Sequence, residues 1–278
     1  MRKRDLILFF LITFFLTWGI VALYMLAPNM MVGLFGKLTG SHPLFFLAVW
    51  GPAISALIMV LFRHGFAGVR HFLSRMLLWR ASLNWYAFIF ILVPLVFYAA
   101  SLFIDGAYNT LFPFESVQAY ITALLLMGLK GPIEEIGWRG LALPLLQRRM
   151  SPFWSAIIIG VIWAIWHTPA FLLSVAVYSA WSFAPFFFGT VALSIIMTAL
   201  FNSSRGSILL PALLHWQLIN PLWPDVQPYD NWIMIIIAIA IVWINRDTMF
   251  SSKNSIKEVF PNEKDTISSM PCYSGSMR

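Results

Sequence analysis

"LILFFLITFFLTWGIVALYMLA", residues 6–27, is a run of 22 residues without a charged side chain. As a helix it would be about 33 Å long, enough to cross the roughly 30 Å hydrocarbon core of a bilayer. It follows "MRKRD", as a signal peptide would, but it is longer than a typical signal h-region and reads as a retained span. Further apolar runs lie near residues 44–62, 84–104, 117–147, 153–172, 184–202, 207–223 and 231–245. Hydrophobic residues make up 60% of the 278 and charged residues 10%, which suits a bilayer rather than a soluble core. Transmembrane strands would leave short alternating segments, and none is present. The expectation is an all-α, polytopic, multi-pass cell-membrane protein of about eight transmembrane helices.

The basic residues give the orientation. Arg2, Lys3 and Arg4 begin the chain. Arg63, Arg70, Arg75 and Arg80 fill the second connection, Arg148 and Arg149 the fourth, and Arg205 the sixth. Arg246, Lys253 and Lys257 follow the last run, whereas the intervening connections carry Lys37, Asp105, Glu115, Asp225 and Asp230. Basic residues thus alternate sides in step with eight spans, placing both termini in the cytosol. The formal charge of +7 belongs to loops facing anionic lipid and calls for no nucleic-acid partner.

Residues 1–245 read as one membrane-embedded helical domain, and 246–278 as a polar cytosolic tail without a fold of its own. "GVRHFLSRMLLWR" (68–80) places Arg70, His71, Ser74 and Arg75 on one helical side and Val69, Phe72, Leu73, Met76 and Leu77 on the other. That pattern predicts an amphipathic helix on the cytosolic membrane surface. Cys272 is the sole cysteine, so no internal disulfide exists. There is no internal repeat, phosphate loop, CxxC or HExxH.

Against this background, "GPIEEIGWRG" (131–140) brings Glu134, Glu135 and Arg139 into an apolar span. A charge facing lipid at mid-bilayer costs about 2.5–3.5 kcal/mol even on lenient scales, so these residues must face the bundle interior. Four residues apart, Glu135 and Arg139 meet on one helical face; Glu134 lies about 140° from Arg139 and is left for chemistry. Lys130 would reach Glu134 on a regular helix, but Gly131-Pro132 between them predicts a kink or restart.

Two histidines lie inside spans, His167 and His215. Counted from the cytosolic ends of their spans, they sit about 21 and 18 Å deep, and Glu134 about 21 Å. A carboxylate and two imidazoles at one depth can activate water as general base or through a bound metal. Taken singly, each has a plainer reading: a buried histidine as a packing residue, a Glu–Arg pair as helix glue, Trp163 as a packing aromatic. Asn202 reads as a helix end and Arg205 as a topology signal. The joint occurrence points to a site.

These residues resemble the CPBP intramembrane proteases, also called the CAAX-protease and bacteriocin-processing or Abi family, which includes the Ras-converting CaaX endopeptidases. "EEIGWR" (134–139) is similar to the family's EExxxR, and Trp163 to His167 to its FxxxH, with Trp in the aromatic place. "GSILLPALLHWQLIN" (206–220) is similar to its third, histidine-bearing motif. The resemblance covers about residues 60–225. It implies hydrolysis of a peptide bond in or beside the membrane, in a cavity open toward the cytosol.

The implied roles are Glu134 as the base that activates water, His167 as its aid, and His215 as a holder of water or the oxyanion. Glu135 and Arg139 would support the site. No cofactor is implied, although Glu134, His167 and His215 could bind zinc in a metal-dependent version. The family places Asn four residues after the third-motif His; here that position is Ile219, and Asn220 follows. Pro221 removes a helix hydrogen bond, and a local wide turn would bring Asn220 back as a site residue.

The expected partners are a peptide or membrane-protein substrate, the bilayer and, in a second reading, a regulatory membrane partner. That reading makes the chain a catalytically weak family member that regulates or scaffolds other membrane proteins. A third is a carrier using the buried Glu–His cluster.

Overall fold

The computed structural model describes residues 3–104, 112–173, 177–253 and 255–261, and every regular element among them is helical. The principal helices are α1 (Lys3–Leu26), α2 (Gly51–Leu73), α3 (Leu83–Ser101), α4 (Val117–Gly128) and α5 (Gly131–Gly137). They continue with α6 (Pro152–Trp166), α7 (Phe183–Ser203), α8 (Leu209–Leu218) and α9 (Tyr229–Ile244). Polarity is distributed as in a membrane protein. Phe15, Phe62, Leu95, Ile236 and Ile239 are exposed, whereas Glu134, Glu135, Arg139, His167 and His215 are buried.

Among the described residues, five helices are long and apolar enough to cross a bilayer: Arg4–Leu26, Gly51–Leu77, Leu83–Ser101, Pro152–Phe171 and Phe183–Ser203. The sequence predicts eight spans, and the difference has local causes. The run 117–147 is two helices broken at Leu129 and Lys130, where Lys130 has φ −104° and ψ −101°. The break frees the Leu129 carbonyl, which accepts from Trp50 Nε1 at 2.6 Å. The run 207–223 contains only the ten-residue α8, about 15 Å long, and α9 has 16 residues.

Two helices widen into π turns, Phe88–Leu92 and Trp138–Ala142. Each is followed by a proline, Pro94 or Pro144. Proline has no N–H for the preceding turn and its ring clashes with the carbonyl four residues back; widening that turn relieves the clash. The second π turn carries Arg139 and leads through Leu143–Gln147 to the end of the helix.

Close packing is set by small residues. A Cβ on Gly160 would stand 2.7 Å from Val191 Cα, so α6 and α7 approach backbone to backbone. A Cβ on Gly137 would stand 2.4 Å from the Pro52 carbonyl oxygen, which seats α5 against the start of α2. Trp138 fills the space beside this contact, fully buried and edge-on to Phe9 and Trp166.

The bundle has two distinct ends. At one, Arg63 pairs with Asp5 at 2.7 Å, Gln147 meets Asn202, and Arg148 meets Glu258. At the other, Lys130 meets Phe45, Trp181 meets Asp225, and Phe103 stacks on Tyr229.

The segment 68–80 departs from the surface helix that its pattern predicts. Gly65, at φ +65°, turns α2 before it, and the helix tightens into a 3-10 turn, Ser74–Leu77. Arg75, expected on the outward polar side, turns inward and is 1% exposed. Its Nε donates to the Val259 carbonyl at 3.0 Å, Nη1 to Gly206 at 2.7 Å, and Nη2 to Glu258 and Phe260 at 2.6 and 3.0 Å.

The acceptors explain the inversion, because three of the four come from the segment that composition reads as an unfolded tail. Ile256 N–H donates to Asn202, Phe260 stacks on His71, and Val259 is buried. The polar segment therefore docks on the bundle as far as Pro261; residues 262–278, with Cys272, lie outside the described residues. Arg75→Ala should release residues 255–261 and lower stability by about 3 kcal/mol, since hydrogen bonds to a charged donor are worth about 1.5–3 kcal/mol each. Limited proteolysis and thermal unfolding in detergent would measure both effects.

Candidate active site

α5 starts where the chain is broken, and its first turn presents Glu134 and Glu135. Both are buried. Glu135 Oε1 accepts from two sides, from Arg139 Nη1 at 3.2 Å and from His215 Nδ1 at 2.8 Å, and Oε2 lies 2.9 Å from Arg139 Nη1 in the ion pair. Arg139 is fully buried, and its guanidinium also lies over the Trp163 ring at 4.7 Å. The pair expected from the four-residue spacing is thus a bridge from α5 to α8, with Glu135 between a guanidinium and an imidazole.

Glu134 points to α6. Trp163 Nε1 donates to its Oε2 at 2.9 Å. Indole is a donor only, so this contact supports the carboxylate while leaving it able to accept a proton. Read from the sequence as a packing aromatic, Trp163 is the hub of the cluster. Its ring lies 5.3 Å from that of His215 and 5.8 Å from that of His167, centroid to centroid. The one-turn spacing of Trp163 and His167 was the signal available in the sequence; which edge the indole would present was not.

Hydrogen bonding fixes both imidazole tautomers when neutral. His167 ends α6, where Pro169 cannot continue the helix, and its Nδ1 lies 2.8 Å from the Trp163 carbonyl. A carbonyl only accepts, so Nδ1 carries the hydrogen, as does His215 Nδ1 facing the Glu135 carboxylate. Each ring keeps Nε2 as its acceptor. The His215 ring fits because residue 131 is glycine: a Cβ there would stand 2.4 Å from His215 Nε2.

Glu134, His167 and His215 line one cavity of about 480 Å³. Asn220 lines it too, but its amide serves its own chain, donating to Gln217 Oε1 at 3.1 Å while its Oδ1 accepts from Leu222 N–H at 3.0 Å. The predicted wide turn is replaced by an earlier stop, α8 ending at Leu218. Lys130 lines the cavity without an ion pair among the described residues; the chain break carries its Nζ over Phe45 and Phe46, at 5.6 and 5.8 Å from the ring centroids.

The far wall was not foreseen. Gln227 Nε2 donates to Asp230 Oδ2 at 2.8 Å, Asn231 Nδ2 donates to Gln227 Oε1, and Asn231 occupies the space that a side chain at Gly189 would fill. Tyr178 adds a phenol against the His167 ring, 5.6 Å between centroids; burial, then the negative charge of Glu134, pushes its pKa up and keeps it a donor. Tyr178 and Gln227 lie in connections, where spacing carries no geometric information.

Among the described residues, no three His, Cys, Asp or Glu side chains are grouped to hold a metal ion. The cavity is lined at the Lys130–Asp225 end of the bundle, where Asp225 is exposed. None of its lining residues comes from the arginine-rich connections.

Residues 116–218 match the family model for type II CAAX prenyl endopeptidase Rce1-like proteins. This segment is similar to the CAAX proteases. The match holds Glu134, Glu135, Arg139, Trp163, His167 and His215, and stops two residues before Asn220. A CAAX prenyl protease 2 from Methanococcus maripaludis is 29% identical over 143 residues, 47% of this chain and 52% of the relative. The chain therefore spans about half the length of the curated relative it matches.

Proposed function

We propose that the chain is a multi-pass cell-membrane endopeptidase that hydrolyses a peptide bond with water activated by Glu134. The observation that carries this reading is the meeting of Glu134, His167 and His215 in one cavity around Trp163. Eight passes with both termini cytosolic complete the proposal. It is supported by the alternation of basic connections and by the contact of Asp5 near the N-terminus with Arg63, at the same end where residues 255–261 dock.

In this mechanism the attacking water donates one hydrogen to Glu134 and the other to His215 Nε2. Glu134 takes a proton as the water oxygen bonds to the peptide carbonyl carbon. His215 Nε2 accepts from the second hydrogen of the attacking water and holds its oxygen toward the carbonyl carbon, and its Nδ1–H stays on Glu135. The carbon–nitrogen bond then breaks, and the proton held by Glu134, relayed by His167, passes to the leaving amine. Arg139 balances Glu135, so Glu134 alone is the base.

Incubation of the purified protein in lipid nanodiscs with membrane-inserted peptides in H2-18O tests the reaction. Cleavage should place one 18O atom in each new carboxylate. Intact peptides throughout would end the peptidase reading. Gly131→Ala should lower the cleavage rate about hundredfold, because displacing a positioned group by about 1 Å costs that much. The cause is its Cβ, which would meet the His215 ring. The fold should survive, since alanine is the better helix former; rates and thermal unfolding on the same preparation separate the two effects.

A further inference from the structure

We infer that the substrate enters from the extracytoplasmic side, so that the protein cuts exported peptides or the outward-facing segments of membrane proteins. This rests on the proposed peptidase reading for the word substrate and on the bundle's charge asymmetry for the side. The cavity lining includes Gly40, Phe45, Trp181, Pro224, Gln227 and the exposed Asp225, all from the end of the bundle away from the arginines, and this end is read as the mouth. None of the residues 63–80, 141–152, 203–207 or 246–261 borders the cavity.

The opposite route is filled. From Glu134 to Arg148 the chain runs 14 residues, about 21 Å of helix. Along it Trp138, Leu141 and Leu143 are fully buried. A Cβ on Gly140 would stand 2.8 Å from both Ile208 and Phe72, so no channel passes there. Beyond them the buried Arg75 ties Gly206 to residues 258–260 and caps that end with backbone.

Charge assigns the ends to sides of the membrane. Arg63, Arg70, Arg75, Arg80, Arg148, Arg149, Arg205 and Arg246 gather at the capped end, which the basic-residue bias places in the cytosol. The mouth carries Asp225 and Asp230 with Lys130. A cavity entered from the arginine end would need Trp138, Phe72 and Ile208 to leave a packed core, whereas at the other end the lining residue Asp225 is already exposed.

The test uses the full chain with its sole cysteine removed, Cys272→Ser, and single cysteines placed at the mouth by Asp225→Cys and, separately, by Thr39→Cys, an exposed position next to the lining residue Gly40. Ser252→Cys marks the capped end. A membrane-impermeant maleimide should label positions 225 and 39 about tenfold faster in sealed right-side-out vesicles than in inverted ones, and position 252 the reverse. Faster labelling of both mouth positions in inverted vesicles overturns the inference. So does equal labelling in the two preparations, or labelling in neither when denatured protein reacts fully. Labelling requires no cleavage, so loss of the peptidase reading in the 18O experiment leaves this result standing, and the reverse holds.

Discussion

Glu134→Gln should lower peptide cleavage about a thousandfold or more while leaving the protein folded, within the range that general-base catalysis supplies. Glutamine keeps the volume and an oxygen acceptor, so Trp163 Nε1 retains its partner. What is lost is the ability to take a proton from water. His167→Gln should cost less, because the imidazole assists the base. Asn220→Ala should cost least, because that amide already serves Gln217 and the Leu222 N–H. The rates of the three variants against wild type, on one peptide in one lipid, make the comparison. If Glu134→Gln cleaves within about threefold of wild type, Glu134 is not the base and the proposed mechanism is lost.

The second large effect is on stability. Glu135→Ala should destabilise the protein by about 3–5 kcal/mol, the cost of breaking a buried ion pair from one side. Arg139 would then keep a fully buried guanidinium whose Nε and Nη2 already lack hydrogen-bond partners among the described residues. His215 would lose the acceptor that holds its ring. Adding Arg139→Met should restore most of the stability, since no unpaired charge remains, but should not restore cleavage, since His215 stays unanchored. Thermal unfolding of the two variants in detergent checks the first part and the cleavage rate the second. Full stability in the single variant would show that Glu135 does not neutralise Arg139.

The Glu135–Arg139 pair was legible because it depends only on helical spacing and the cost of a lone charge in hydrocarbon. Glu134, His167 and His215 could be matched by counting residues from the ends of their spans, and they do share a cavity. Counting gives depth and not direction, so it could not tell that His215 would bond Glu135 rather than Glu134. Nor could it tell that Trp163 would stand among all of them. Arg75 failed for a related reason. Amphipathic pattern sends an arginine outward when no acceptors are in view, and its acceptors here are backbone carbonyls about 130 to 185 residues away.

The sequence by itself determined the helical, membrane-embedded class, the alternation of the basic connections and the residue types at the site. Each follows from local composition: apolar length, charge count and the 3.6-residue turn, all written along one dimension. Only the tertiary structure decided the partner of each histidine, the docking of residues 255–261 around Arg75, and which end of the cavity is open. Those depend on how helices distant in sequence meet. There, a missing side chain at Gly131 or a helix break at Lys130 has consequences that no periodicity encodes.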